Sequence, residues 1–356
     1  SGGGAACGIE ASVGDRVGLF LTREGGAWIG DLCRQVAPDD LLAAVAPLPA
    51  PNGRGPAAMF VGGRLGRARV MALDARGRTL AYGFGPGTTQ LLSPCPGGKR
   101  LAEVILVYPG NQLVIRDSKT LRIVRRRAVD LPAGRTTIGL QCENVWGSSV
   151  VLFGTGPGDG PHGAALHRLA GRRTSTVWSG SAYLSSLTPS VAYLNAGAAG
   201  DRLVKVDLRT GRRTLIATVP LSPRVVPDAT GRRLAGVAYR LDERSRLVLI
   251  ELGKAVAVRS VPLDAPEQLG DVHWLPDGRL LFLPLGGDSA RVLDRFLRTR
   301  ARFRWTAGPG ALVGSTVFGV DRSSRLVSAQ LPAGPQRVVR RLPGGGGAQV
   351  IVSATR

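Results

Sequence analysis

One hairpin recurs seven times along this chain, and this repeat limits the possible folds more than any other feature. Each copy has an apolar strand, an anchor residue, a short turn that usually contains glycine, and a second strand rich in Arg and Val. The anchors are Asp74, Asp117, Leu169, Asp207, Glu251, Asp294 and Gln330. Their intervals are 43, 52, 38, 44, 43 and 36 residues. A hairpin repeat with a period of about 40 to 50 residues is typical of a β-propeller blade.

The stretches between the hairpins have room for two more short strands each. Examples are residues 191–194, 234–239 and 280–283, all of them apolar and followed by turn residues. Four antiparallel strands per repeat predict an all-β fold, a seven-bladed β-propeller with four-stranded blades over residues 56–343. An eight-bladed ring, with residues 8–55 as a further blade, is the alternative.

Two flanking segments are predicted to complete the ring. Residues 344–356 begin with four glycines and continue into an apolar strand, residues 349–353, which we expect to close it. The expected partners of this strand include residues 17–21 in the N-terminal segment, residues 1–55. That segment carries four arginines against six carboxylates, so it is acidic beside a basic body. We predict that it acts as a closure or docking segment that contributes strands to the ring.

Two stretches of the repeat resemble a known family. Residues 274–282, WLPDGRLLF, and more loosely residues 226–235, VPDATGRRLA, are similar to the Pro-Asp-Gly repeat of TolB-like or WD40-like propellers. In such a turn proline presets φ, aspartate binds its own backbone, and glycine takes the left-handed conformation. The resemblance implies the propeller fold, and it names no partner. The Trp-Asp dipeptide of WD40 repeats is missing.

The charge of the chain is strongly positive. Lys and Arg total 47 against 25 Asp and Glu, a net charge of +22, and only four of the cations are lysines. A field of this size favours acidic polymers as partners. The alternative is compositional, since a chain rich in Ala, Gly, Arg and Pro and poor in Lys is what a GC-rich genome tends to encode.

Four cysteines, Cys7, Cys33, Cys95 and Cys142, are even in number and lack zinc-ligand spacing. They predict two disulfides, with sequential pairing as our choice among three connectivities, and an exported protein that is periplasmic, secreted or at the cell surface. Four buried free thiols are the alternative. No apolar run approaches the roughly 18 residues that a transmembrane helix needs.

The arginines are concentrated in the second strand of the hairpin or in its turn. In a propeller this strand is the outermost one of its blade, so these residues are expected to form a basic rim. The candidates are Arg125, Arg126, Arg127, Arg212, Arg213, Arg298, Arg300, Arg302, Arg304, Arg340 and Arg341. One explanation is protection of an unpaired strand edge by charge. A second is a surface that binds an acidic polymer, and a third is contact between subunits or lattice neighbours. Nucleic acid is disfavoured because few aromatic residues interleave the arginines.

A site at the central channel is the competing hypothesis. Asp271 and His273 are two residues apart on a predicted strand, so their side chains point to the same face, and Asp228 follows another predicted inner strand. This set predicts a propeller enzyme, such as a lyase, a lactonase or a glycoside-acting enzyme. The alternative is that Asp271 and His273 are a hydrogen-bonded pair with a structural role only. No nucleophile elbow, Walker loop or zinc-protease motif occurs in the sequence.

The sequence therefore favours a non-catalytic, exported propeller that binds a protein or scaffolds an acidic envelope polymer. We predict no cofactor, no metal and no catalytic residue. The central-channel enzyme is kept as the alternative function.

Overall fold

The computed structural model is a ring of seven four-stranded antiparallel sheets. The structure describes residues 47–65, 68–85, 87–107, 110–129, 136–155, 163–197, 200–219, 222–240, 243–253, 255–263, 270–285, 288–343 and 350–354, together with the backbone of two N-terminal strands. The seven-bladed prediction is confirmed.

The strands are numbered along the chain, and β1 (Gly18–Glu24) and β2 (Ala27–Val36) precede the ring. The innermost strands of blades 1 to 7 are β30 (Val350–Ser353), β6 (Thr88–Pro94), β10 (Thr136–Cys142), β14 (Ala182–Leu187), β18 (Ser222–Pro227), β22 (Gly270–Trp274) and β26 (Ala307–Val313). The second strands are β3 (Met59–Leu65), β7 (Arg100–Val107), β11 (Ser149–Thr155), β15 (Val191–Ala196), β19 (Arg233–Arg240), β23 (Leu280–Pro284) and β27 (Thr316–Asp321).

The third strands are β4 (Ala68–Leu73), β8 (Gly110–Asp117), β12 (Ala164–Ala170), β16 (Arg202–Asp207), β20 (Glu243–Leu252), β24 (Ser289–Leu293) and β28 (Arg325–Gln330). The outermost strands are β5 (Thr79–Gly83), β9 (Ile123–Ala128), β13 (Arg173–Gly180), β17 (Arg213–Thr218), β21 (Val256–Pro262), β25 (Thr299–Arg304) and β29 (Arg337–Arg341). A single 3-10 turn, Pro96–Gly98, is the helical element of the described residues.

The C-terminal strand closes the ring, but not with the partner that we expected. β30 pairs with β3 in blade 1, with Ser353 opposite Met59 and Val350 opposite Gly62. The expected pairing with residues 17–21 is wrong, since β1 pairs with β2 in a separate two-stranded sheet. Neither N-terminal strand belongs to a blade, and the docking role of residues 1–55 stays a prediction.

The recurring hairpin forms the third and fourth strands of every blade. Where the anchor is an aspartate, it caps the turn: in blade 1 the Oδ1 of Asp74 accepts the backbone N–H groups of Arg76 and Arg78, both at 2.9 Å. Gly77 in the same turn has φ of 74°, which residues with a Cβ rarely adopt. The Pro-Asp-Gly turn links β22 to β23 in the same way, with Gly278 at φ 79°.

The core lies between neighbouring blades rather than in one centre. Between blades 6 and 7, for example, the fully buried Leu281 and Trp305 pack with Val317 and Val327. Since each blade buries both of its faces against its neighbours, the ring depends on closure by β30.

One buried ion pair lies within blade 2, and its arginine also bonds to the segment that follows β5 of blade 1. Arg116 of β8 and Glu103 of β7 are both fully buried, and the Nε of Arg116 donates to Glu103 Oε2 at 2.6 Å. The Nη1 of Arg116 also donates to the carbonyl oxygens of Phe84 and Leu121, each at 3.0 Å. A Cβ on Gly83 would lie 3.1 Å from this Nη1, so the glycine leaves the space that the guanidinium fills.

Candidate binding surface on the outer edge

The outermost strands carry the arginines that the repeat pattern placed there. Of the predicted basic rim, the side chains of Arg126, Arg212, Arg213, Arg298, Arg300, Arg302, Arg304 and Arg341 are exposed, and those of Arg125, Arg127 and Arg340 are half-buried. Which of these arginines are available to a partner depends on their contacts.

Three rim arginines connect neighbouring blades. Arg125 donates to the carbonyl of Gly147, and Arg127 donates to the carbonyls of Gly171 and Arg173 at 3.1 and 3.0 Å. These bonds link blade 2 to blade 3. Arg340 of blade 7 donates to Thr79 Oγ1 of blade 1 at 2.5 Å. These residues therefore stabilise the ring and are less available for binding.

Blade 6 differs because its arginines form a row. Arg300, Arg302 and Arg304 alternate along β25 with Ala301 and Phe303, and all three are exposed while Phe303 is buried. Since Phe303 packs in the core shared with blade 7, the arginine face of the strand turns toward blade 5. The row thus lies along the outer edge of the gap between blades 5 and 6.

An exposed aromatic residue marks the start of this row. Phe296, in the turn before β25, is 45% exposed. The guanidinium carbons of Arg295, Arg298 and Arg259 lie 4.8, 5.5 and 5.6 Å from the centre of its ring, within cation–π range. Arg259 comes from β21 of blade 5, so the cluster spans two blades.

We call this set the blade 6 arginine surface; its members are Arg259, Arg295, Arg298, Arg300, Arg302, Arg304 and Phe296. Two carboxylates among the described residues pair with it: Glu251 with Arg259 at 3.1 Å, and Asp294 with Arg300 at 2.7 Å. Six arginines against two carboxylates leave an excess of four positive charges.

Asp294 also shapes the turn that carries Phe296. Its Oδ1 accepts the backbone N–H groups of Phe296 at 2.8 Å and Arg298 at 3.0 Å. Burial raises the pKa of this carboxyl, but these backbone bonds and the Arg300 guanidinium outweigh burial and hold the pKa below its usual value. The carboxylate therefore stays charged and fixes the turn at any moderate pH.

The structure places the three channel candidates on two different elements. Asp271 and His273 lie on the innermost strand β22, half-buried, as predicted. Asp228 follows β18 and belongs to a turn, where it accepts from Thr230 Oγ1 and pairs with Arg233 at 2.9 Å. Burial raises the pKa of Asp228, but the bonds from Arg233 and Thr230 outweigh it and lower the pKa overall.

Asp228 lies near Trp274, at the end of β22 away from Asp271. Arg233, its ion-pair partner, stacks on Trp274 at 4.6 Å, and Trp274 Nε1 donates to the carbonyl of Val226 at 2.8 Å. Trp274 is three residues beyond Asp271, about 10 Å along a strand. The structure keeps Asp271 and His273 together, and their role stays a prediction. No group of three or more metal-ligating side chains occurs among the described residues.

A cavity of about 840 Å³ opens where the innermost strands of blades 1 to 4 end. It is lined mainly by proline, glycine and alanine, and Lys119 supplies a charged side chain. Its size suits a small ligand. Repeat analysis missed this cavity because its walls are turns rather than strands, with Pro94, Cys95, Pro96, Gly97 and Gly98 as the clearest local signal.

The wall of this cavity contains the predicted second disulfide. Cys95 is bonded to Cys142 and joins blades 2 and 3 across 47 residues of sequence, which confirms that pair. The other predicted pair, Cys7 with Cys33, lies outside the residues whose side chains the structure describes. In the described part of the chain no helix is long and apolar enough to cross a membrane.

Comparison with known proteins supports the propeller fold. No protein-family model matches the chain, and no curated protein matches it. Among solved structures, it is similar to a functionally unknown protein from Desulfotomaculum acetoxidans, with a TM-score of 0.60 at 10% identity, over 83% of this chain and 99% of the other.

Two further solved structures are similar to this chain in fold. The β-propeller domain of Cps50 (Swd1) from Myceliophteria thermophila matches with a TM-score of 0.52 at 12% identity, over 78% of this chain and 94% of that one. The dihydro-heme d1 dehydrogenase NirN matches with a TM-score of 0.52 at 16% identity, over 86% and 78%. The fold-level resemblance to propeller repeat proteins is confirmed. Because one of these proteins is a dehydrogenase, the fold alone does not decide function.

Proposed function

We propose that this propeller is an exported, non-catalytic binding scaffold that holds an acidic partner on the blade 6 arginine surface. The observation that carries the proposal is the exposed row Arg300, Arg302 and Arg304. In the described residues, Arg302 and Arg304 have no carboxylate partner. Exposed, aligned arginines attract polyanions and speed their association.

The hydrogen bonding of the channel residues supports a binding role over a catalytic one. Asp228 accepts hydrogen bonds within a turn and forms an ion pair with Arg233, so its carboxylate is less available for acid–base chemistry. A catalytic site needs several polar groups that converge on one point. The other two members of the predicted set, Asp271 and His273, lie on one strand.

The Cys95–Cys142 disulfide supports export. Disulfides persist in oxidising compartments and are rare in the cytosol. An acidic component of the cell envelope or an acidic protein region outside the cytosol is then the class of partner that this surface fits.

Binding to poly-L-glutamate tests the proposal. The Arg300→Gln, Arg302→Gln, Arg304→Gln variant removes three charges from the row, and we expect affinity to fall by at least about tenfold, equivalent to 1.4 kcal/mol. Added salt should weaken binding by the parent protein and flatten the difference, because exposed charges are screened.

The matched control removes three exposed arginines from three other blades: Arg126→Gln, Arg212→Gln, Arg341→Gln. It has the same net charge as the row variant. If both variants lose affinity equally, the protein binds through its overall charge and the proposed surface is wrong. If the parent protein binds neither polyglutamate nor polyphosphate, the proposed function is wrong.

A further inference from the structure

The outer edge of blade 6 has backbone groups available for pairing as well as charge. β25 is the terminal strand of the order β22-β23-β24-β25, so only one of its edges is paired within the blade. A terminal strand presents unpaired N–H and C=O groups, which is the geometry that accepts an added strand. In β25 this edge runs beside the arginine row.

The spacing of the arginine row determines which ligand fits both the open edge of β25 and the charges beside it. Successive arginines of the row are two residues apart on one strand, which corresponds to about 6.8 Å. An extended peptide with acidic residues at alternate positions repeats its carboxylates at the same distance. It is the ligand whose backbone bonds and charges can both pair in register.

We propose that an extended acidic segment of a partner protein adds to blade 6 as a fifth strand, with Asp or Glu at alternate positions opposite Arg300, Arg302 and Arg304. This inference rests on the proposed function and names the partner class for that same surface. Phe296 stands at the start of the row, and an exposed aromatic residue among arginines is typical of an interface anchor. An apolar residue at one end of the added strand would contact it.

The other outermost strands lack this combination. In β9, Arg125, Arg126 and Arg127 are consecutive, so neighbouring side chains point to opposite faces, and two of them bond to blade 3. In β29, Arg340 bonds to blade 1. The remaining outermost strands, β5, β13, β17 and β21, have one arginine or none. The alternate arginine row is a property of blade 6.

Four synthetic peptides of three kinds, each about seven residues long like an ordinary strand, test the inference by fluorescence polarisation. The first alternates Glu with Val and Thr. The second has the same composition with its glutamates in one block. The third is the alternating peptide with N-methyl groups on alternate backbone nitrogens, prepared in two versions so that each edge is blocked once.

We expect the alternating peptide to bind at least about tenfold more tightly than the block peptide. One N-methylated version should lose binding and the other should keep it. Arg302→Glu should abolish binding of the alternating peptide, and replacement of its central glutamate by lysine should restore it. Arg126→Glu, the same charge change on β9, should reduce binding far less.

The possible failures are distinguishable. Equal binding of alternating and block peptides, or binding by both N-methylated versions, overturns strand addition; if polyglutamate still binds through the row, the proposed function stands. Binding of polyphosphate through the row, with no binding of any peptide, assigns the surface to a non-protein polyanion and overturns the inference. If the parent protein binds none of these peptides and neither polyglutamate nor polyphosphate, both proposals are wrong.

Discussion

Replacing Glu103 by glutamine should be among the most destabilising single changes in the ring. The substitution keeps the shape of the side chain and removes its charge. Arg116 then remains fully buried without its counterion, while its Nη1 stays bonded to the carbonyls of Phe84 and Leu121. The guanidinium cannot move toward solvent easily, because it fills the space that Gly83 leaves.

The expected loss is about 3 to 5 kcal/mol, the range for breaking a buried ion pair by removing one partner. Domains of ordinary stability have only about 5 to 15 kcal/mol in total. The penalty comes from the uncompensated charge, so removing both charges should reverse most of it. A Glu103→Leu, Arg116→Met double variant should have a free energy of unfolding that is at most about 2 kcal/mol below that of the parent protein, or higher than it.

Urea unfolding followed by far-ultraviolet circular dichroism measures the change, with amide hydrogen exchange in β7 and β8 as the local readout. The matched control is Glu251→Gln, which removes a carboxylate from the partly exposed pair with Arg259. Exposed pairs contribute about 0 to 1 kcal/mol. A Glu103→Gln loss no larger than that of the control would refute the reasoning, as would a double variant no more stable than the single one.

Three other changes give clear outcomes. Reducing or mutating the Cys95–Cys142 bond, which closes a loop of 47 residues, should cost about 4 kcal/mol by the chain-entropy model; an unchanged urea midpoint in dithiothreitol would contradict this. Asp228→Asn should cost about 1 to 3 kcal/mol at neutral pH. The folded pKa of Asp228 is lowered, so the stability that its carboxylate contributes is present above the unfolded pKa, about 3.9. This stability is lost as the pH falls through the folded pKa. A difference in stability between Asp228→Asn and the parent that persists in acid would contradict the assignment. Gly278→Ala, at φ 79°, should cost about 1 to 2 kcal/mol, whereas Gly253→Ala, which has no positive φ, should cost clearly less by thermal melting.

The hairpin repeat was predictable because its causes are local. An apolar strand, an aspartate that binds backbone N–H groups two to four residues ahead, and a glycine at positive φ are all readable within a short window. Asp74, Asp117, Asp207 and Asp294 show the same bonding in four blades. The number of blades follows from counting these hairpins.

Ring closure was not predictable in the same way because the pairing is non-local. Both β3 and the strand at residues 17–21 are short and apolar, and either composition suits a closing strand. The choice of β3 depends on which backbone edge is free once blade 1 has formed. A pattern within one strand does not contain that information.

The same limit applies to the charged residues. Arg340 and Thr79 are 261 residues apart in sequence, yet they bond across the closure of the ring. Glu103 and Arg116 look like ordinary surface charges in the sequence, but adjacent strands bring them together in the interior. Sequence placed the arginines on the outermost strands; only the packing of neighbouring blades separates those that hold the ring from those that face solvent.

Edge protection and polymer binding, two of the explanations of the basic rim, are compatible in blade 6. A row of arginines on a terminal strand repels the same row on a second copy, so it discourages edge-to-edge pairing of like molecules. The same row attracts a strand of opposite charge, and its spacing of two residues matches carboxylates at alternate positions. Like-charge repulsion and opposite-charge recognition then come from Arg300, Arg302 and Arg304 together, so edge protection does not argue against a binding role. What distinguishes a binding edge from a merely protected one is register: protection needs only charge, whereas recognition needs charge at the spacing of the backbone.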